Sequence, residues 1–287
     1  MSDPEQMAPG PAPLVISIQS QVVYGHVGNS AAVFPMQAAG LEVAPIPTVI
    51  FSNTPHYPTL RGTPLPAHLF ADLLLGAEER GLPQRAAWLV TGYIGSVEVA
   101  RLAAGFVARC KAANPGLRYL CDPVLGDHGP GLYVPAELAS ILRDDLLPLA
   151  DLATPNSFEL GYLTGTAIAA LADVERAAAG LRLAPGGDLV ATGCVLEDSP
   201  EGHLESVTAG PGGVFRHPTP HLPVALPGTG DLYSGLILAA LGRGRSLSQA
   251  VDLAQDLTGR ALAHAARVGA REIVLSEPGF RAALLSM

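Results

Sequence analysis

The stretch that decides the fold is "AAWLVTGYIGSVEVARLAAGFVARCKAANPGLRYLCDP", residues 86–123. It opens on an apolar run with strand character (86–92), passes through a helical pattern (96–113) and ends on a second apolar run (117–123). A strand, a helix and a second strand in that order form a βαβ unit, and such units build a mostly parallel sheet. The same alternation extends to both sides. Upstream lie "LVISIQ" (14–19), a helix near 29–39, "EVAPIPTVIF" (42–51) and a helix near 66–80; downstream follow a helix near 135–147 and "ADLATPN" (150–156). Strands such as "WLV" and "LVAT" are apolar throughout, which suits a sheet covered on both faces.

Residues 203–220, "HLESVTAGPGGVFRHPTP", change character: two short runs around Gly-Pro-Gly-Gly read as a β-hairpin at the sheet edge. Two long Ala/Leu helices, near 230–242 and 247–268, are expected to close the chain. Residues 1–13, rich in Pro, Gly and polar residues, read as a disordered lead-in, and no composition break divides 14–287, so one domain is expected there.

Composition narrows the function. No apolar run reaches the roughly 18 residues of a membrane span, and no signal sequence opens the chain, so a soluble cytoplasmic protein is expected. The formal net charge is −9 and no basic cluster interrupts it, which argues against nucleic-acid binding. Cys110, Cys121 and Cys194 lack zinc-site or disulfide spacing, and Cys121 and Cys194, in apolar runs, are expected to be reduced, buried fillers. Lys111 is the only lysine. A phosphate-bearing ligand would therefore depend on a metal, backbone amides or arginine for neutralisation.

In open α/β sheets ligands bind beyond the carboxyl ends of the strands. The residues there are Gln19-Ser20, Phe51-Ser52-Asn53, Thr91-Gly92-Tyr93, Asp122-Pro123 with Asp127, Thr154-Pro155-Asn156 with Glu159, Thr192-Gly193, and Gly228-Thr229-Gly230-Asp231. "CDPVLGD" (121–127) and "TPNSFE" (154–159) together offer three carboxylates and an amide, hard ligands of the kind Mg²⁺ accepts beside phosphate and water. Both are also open to a structural reading, Asp122-Pro123 as a turn and Asn156 with Glu159 as a helix capping box. "LPGTGDLYSG" (226–235) places glycines and an acid at a helix mouth, where amides can cradle phosphate and Asp231 can take a proton from a hydroxyl. An acid at that place is also favourable through the helix dipole alone. Neither GxxxxGK[ST] nor a helix-opening GxGxxG is present, which removes the P-loop and dinucleotide-binding classes.

The GxGD at 228–231 with the NxxE at 156–159 resembles the ribokinase superfamily. The run "SIQSQVVYGHVGNSAAVFPMQAAG" (17–40), with "FSN" (51–53), "TGY" (91–93), "CDPVLGD" and "TPNSFE", resembles pyridoxal kinases over nearly the whole chain. That resemblance implies a three-layer α/β/α sandwich and a homodimer that uses ATP and Mg²⁺, often with K⁺ or Na⁺, to phosphorylate the hydroxymethyl group of pyridoxal. It implies Ser20 on the pyridine nitrogen, with Val27, Val49, Phe51 and Tyr93 as ring walls. It places Asp127 and Glu159 on Mg²⁺, and Asp122, Thr154 and Thr192 along the phosphates and monovalent ion. Gly228, Thr229 and Gly230 become the anion hole and Asp231 the base, while the loop from Asp127 to Tyr133 covers ATP. His26 in "YGHVGN" is read as structural.

Two departures stand out. The family pattern Phe-Ser-Asn-His-Thr is here Phe51-Ser52-Asn53-Thr54-Pro55, so the family threonine becomes a proline with no donor unless Thr54 replaces it. The segment "DHGPGLY" (127–133) is short. The alternatives are a hydroxymethylpyrimidine kinase of the same superfamily, or a non-catalytic binder of pyridoxal or its phosphate.

Overall fold

A computed structural model describes residues 12–287. Of the expected lead-in, residues 1–11 lie outside the described part, and Ala12 and Pro13 are exposed. The strands are β1 (Leu14–Tyr24), β2 (Glu42–Asn53), β3 (Gly62–Pro64), β4 (Ala86–Thr91), β5 (Arg118–Cys121), β6 (Gly126–Asp127), β7 (Gly131–Leu132), β8 (Leu152–Ala153), β9 (Asp188–Cys194), β10 (His203–Gly210) and β11 (Gly213–Pro220). The helices are α1 (Asn29–Ala38), α2 (Ala67–Glu79), α3 (Leu82–Arg85), α4 (Val97–Ala113), α5 (Ala136–Ile141), α6 (Ser157–Thr164), α7 (Leu171–Gly180), α8 (Thr229–Gly242), α9 (Leu247–Val268) and α10 (Pro278–Leu285).

The described residues form a nine-stranded sheet in the order β11-β10-β9-β8-β5-β4-β1-β2-β3, with β6 and β7 as a separate hairpin. From β2 to β9 the pairings are parallel; β3, β10 and β11 join antiparallel, so the expected hairpin does lie at an edge. Pro45 and Pro47 sit in β2, whose outer side is paired by β3 only at residues 49–51, so neither proline costs a ladder bond there.

Strand alternation explains the three layers. Leu14, Ile16, Ile18 and Leu89 face one core with α2, α4 and α5, while Val15, Trp88 and Val90 face the other with α1, α8 and α9. Helix α4 shows how the sequence makes such a layer. Ser96 accepts the Val99 amide at 3.2 Å as N-cap, and Val99, Ala103, Phe106 and Cys110 then fall on one buried stripe. Fully burying Phe106 alone contributes about 2–3 kcal/mol.

Two expectations need correction. The chain closes on a third helix, α10, started by Pro278 and capped by the Glu277 side chain, with Phe280 and Leu284 buried against α9 and α1. The helix expected near 135–147 stops at Ile141, continues as a π turn (Leu142–Leu146) and ends in a 3₁₀ turn (Leu147–Leu149) with Pro148 inside it. Cys121 and Cys194 are free and buried, as expected, and Cys110 is free and buried as well.

Candidate active site

The chain leaves β1 toward β2 on one side and later returns to β4 on the other, so the direction of winding reverses between β1 and β4. The carboxyl ends of such strands diverge into a crevice. Gln19 lies at this point: its Nε2 donates to Ser17 Oγ at 3.0 Å, and its Oε1 is buried without a partner. Gly92 at the end of β4 faces that oxygen, and a Cβ there would come within 2.6 Å of it.

The turn after β1 and the mouth of α8 press on each other. Gly28, at φ 53, backs onto Ser20 so closely that a Cβ would lie 2.2 Å from the serine Oγ. Gly228, at φ 84, abuts the His26 carbonyl, where a Cβ would lie 1.7 Å away. Glycine is required at both positions by conformation and by space. Leu232 N donates to Gly228 O at 2.9 Å, so the amides of residues 229–231 have no carbonyl within the helix and point out of its start. The Thr229 hydroxyl donates to Leu226 O at 2.7 Å and holds the turn. Asp231 is buried with Oδ1 unpartnered. Burial raises its pKa, and the Gly28 amide works in the opposite direction.

The acidic side is built from β5, the loop after it, and α6. Asp122 is buried and accepts the Ser234 hydroxyl at 2.6 Å; Thr154 Oγ1 stands 3.3 Å from Ser234 Oγ. Burial first, then the charges of Glu159 and Asp231, hold the Asp122 carboxyl well above the usual range. Glu159 accepts Leu125 N at 2.6 Å and Gly126 N at 3.3 Å on Oε1, and Asn156 N at 2.9 Å on Oε2. Asn156 Oδ1 in turn accepts Glu159 N at 2.9 Å, so the capping box exists. The same box pins the "CDPVLGD" loop, because Asn156 Nδ2 also donates to Gly126 O at 2.8 Å. Burial pushes Glu159 up to about 7 against the pull of those three amides. Within the loop Val124 takes φ 45, a conformation unusual for a β-branched residue.

The remaining residues divide into a wall and a rim. Val49 is buried, with Gly95 so near that a Cβ there would meet Val49 Cγ1 at 2.2 Å. Thr48 Oγ1 donates to Tyr93 O at 2.7 Å, and Tyr93, Phe51 and Val27 are half-buried. Thr192 is half-buried and bridged to Asn156. Asp127 and Tyr133 lie outside the buried group: both are exposed, Asp127 at the end of β6 and Tyr133 directly after β7, with Asp127 Oδ1 accepting His128 N at 2.7 Å. Thr54 is fully buried and its hydroxyl donates to Glu272 Oε1 at 2.7 Å, so it does not stand in for the missing loop threonine.

Sequence reasoning passed over three residues here. Ser234 lies one helical turn beyond Asp231 and could have been found by that spacing. Gly28 stands in the quoted "YGHVGN" run, and its positive φ could be guessed but not its contact with Ser20. For Glu272, far along the chain, no sequence signal exists. Elsewhere a groove of about 230 Å³ beside Ile46, Leu73 and Leu82 is apolar and lacks convergent polar groups.

Asp122, Glu159 and Asp231 have no basic side chain among the groups that set their titration. Their oxygens suit a hard divalent cation. Among the described residues no three His, Cys, Asp or Glu side chains converge into a ready-made cage. A cation here would keep water or ligand oxygens as part of its shell.

A family model described as phosphomethylpyrimidine kinase matches residues 85–275. The chain is 40% identical over 265 residues to pyridoxal kinase PdxY of Rubrobacter xylanophilus, covering 91% of this chain and 90% of that one. The chain belongs to the pyridoxal kinase family. A second member, the pyridoxine/pyridoxal/pyridoxamine kinase of Bordetella avium, is 42% identical over 87% of this chain and 84% of its own. Among solved structures, pyridoxal kinase from Leishmania donovani in complex with ADP and pyridoxamine superposes with a TM-score of 0.85 at 30% identity, over 94% of this chain and 95% of that one. The three-layer fold inferred from the sequence is the fold of this family. None of the described helices is long and apolar enough to cross a membrane.

Proposed function

We propose that the protein phosphorylates the hydroxymethyl group of pyridoxal with ATP, giving pyridoxal 5′-phosphate and ADP. The observation that carries this reading is Asp231: a buried carboxylate with a free oxygen, beside the outward amides of α8 and next to the Ser20-Gly28 contact. A base in phosphoryl transfer needs an unpaired oxygen near both the acceptor hydroxyl and the phosphate site.

In this reading Ser20 meets the pyridine nitrogen while Val27, Val49, Phe51 and Tyr93 enclose the ring. Asp231 accepts the hydroxymethyl proton, and its raised pKa strengthens it as an acceptor. The amides of Gly228, Thr229 and Gly230 face the charge that develops on the transferred phosphoryl oxygens. Asp122, Thr154, Thr192 and Tyr133 line the nucleotide side. Asp127 and Glu159 would hold Mg²⁺, Asp127 from its exposed hairpin and Glu159 through water, since its own oxygens are taken by amides. Bound there, Mg²⁺ would offset phosphate charge; K⁺ or Na⁺ would assist on the Asp122 side. Residues 14–287 act as one catalytic domain within a cytoplasmic homodimer.

A second acceptor class is a substituted methylpyrimidine such as hydroxymethylpyrimidine, since the matching family model is described as phosphomethylpyrimidine kinase. Steady-state transfer from Mg-ATP to pyridoxal, pyridoxine, pyridoxamine and hydroxymethylpyrimidine tests both. Preferential formation of pyridoxal 5′-phosphate is expected; activity confined to the pyrimidine would overturn the first reading in favour of the second, and no transfer to any would point to a binder.

A further inference from the structure

After α9 the chain returns to the ends of β1 and β2 and buries a carboxylate there, Glu272, only 7% exposed. Its Oε1 accepts the Thr54 hydroxyl at 2.7 Å, and its Oε2 accepts the His26 amide at 3.3 Å. The Tyr57 hydroxyl faces the same carboxylate. A hydroxyl carries one proton, and Thr54 has given it to Glu272, so the contact of 2.9 Å with His56 Nδ1 requires the imidazole to donate. Gly25, at φ +100, packs so tightly that a Cβ would lie 2.7 Å from the carboxylate.

One side chain therefore ties together two loops that are distant in sequence. Residues 25–28 carry the His26 carbonyl that abuts Gly228 and the Gly28 amide that faces Asp231. Residues 53–57 follow Phe51, and there Thr54 has spent its donor while Pro55 has none. A buried carboxylate is costly unless its lone pairs are filled. Displacing either loop strands the charge, so each loop holds the other in place through Glu272.

We infer that Glu272 is a positioning residue for the phosphoryl acceptor. It sets the wall against the ring and the Gly28 amide against Asp231, and it touches neither the acceptor nor the nucleotide. The inference rests on the kinase reading above and concerns a residue outside the site as the sequence delimits it.

The test uses E272A, E272Q, T54V and the E272A/T54V pair in the full chain, with KM for acceptor, KM for Mg-ATP, kcat and Tm measured for each. E272A and T54V are expected to raise the acceptor KM by about tenfold, the effect of losing one buried charge-assisted hydrogen bond. E272A also lowers kcat, and KM for ATP stays within about twofold of wild type. E272Q, whose amide oxygen still accepts from Thr54, falls between wild type and E272A. The double variant is no worse in acceptor KM than E272A alone, because both changes delete the same bond. Wild-type acceptor kinetics in E272A, or an equal rise in both KM values, overturns the inference. Should E272A not fold, wild-type acceptor KM in both T54V and E272Q overturns it. The wild-type rate on pyridoxal judges the kinase reading separately, and the ratio of variant to wild type is taken on whichever of the four acceptors the wild type uses.

Discussion

The hydroxyl of Ser234 donates to Oδ2 of Asp122 at 2.6 Å, joining helix α8 to the end of β5 across 112 positions of sequence. This bond favours the charged form of an acid that burial and two neighbouring carboxylates push toward protonation. Ser234→Ala removes it. The Asp122 pKa then rises further, so the acid limb of the pH-rate profile is expected to move to higher pH. Leaving a buried oxygen without its donor also costs about 1–3 kcal/mol of stability. Chemical denaturation and a pH-rate series check the two effects, and an unshifted acid limb would mean that Asp122 does not titrate in turnover.

Asp231→Asn keeps the shape of the side chain and one carbonyl oxygen but cannot accept a proton at neutral pH. A loss in kcat of about 10²- to 10⁴-fold is expected, with nucleotide affinity nearly unchanged. Calorimetric titration with ADP beside a single-turnover assay separates these; full activity in the variant would remove Asp231 from the role of base.

Gly228 and Gly230 differ in a way the motif does not reveal. A Cβ at 228 would collide with the His26 carbonyl, whereas a Cβ at 230 meets nothing within 4 Å. Gly228→Ala is therefore expected to lower stability by about 1–3 kcal/mol and to disable the site. Gly230→Ala should keep the wild-type Tm, and any loss of kcat in it reports crowding of the phosphate. Matching thermal shifts in the two variants would contradict this contrast.

Glu159 gives the ligand-free protein a definite pH dependence. Its folded pKa, pushed to about 7, lies above its ordinary value of 4.5, so between those limits the folded state holds a proton that the unfolded state has lost. Its contribution, on the order of 3 kcal/mol, is full below about pH 4.5 and is lost as pH rises through about 7. Urea denaturation across that window should give a falling stability for wild type and a flatter curve for E159Q. Parallel curves would indicate an ordinary pKa for this acid. Binding of Mg²⁺ with nucleotide is expected to flatten the wild-type curve as well, because a nearby cation favours the carboxylate.

The capping box at 156–159 shows why motif reading leaves a role open. As a sequence pattern it admits a helix start or a ligand-bearing site, and in the fold it is a helix start whose acid is buried beside Asp122. Local spacing reports the first property only. Asp127, by contrast, belongs to the same quoted motif yet stands exposed on the β6-β7 hairpin.

The alternation of strands and helices through the parallel part of the sheet, the edge hairpin and the strand-end or helix-start positions of Asp122, Glu159 and Asp231 were legible in the sequence alone. Apolar periodicity, turn residues and strand-end positions are local properties, and covering both faces of a parallel sheet leaves few arrangements open. Tertiary structure alone decided which side chains meet. It set Ser234 on Asp122, placed the His26 carbonyl against Gly228, and committed Thr54 to Glu272. These contacts span separations of up to 218 residues, over which neither periodicity nor a motif carries information. They form only once the sheet has brought its carboxyl ends together, where buried polar groups must find partners or remain free for a ligand.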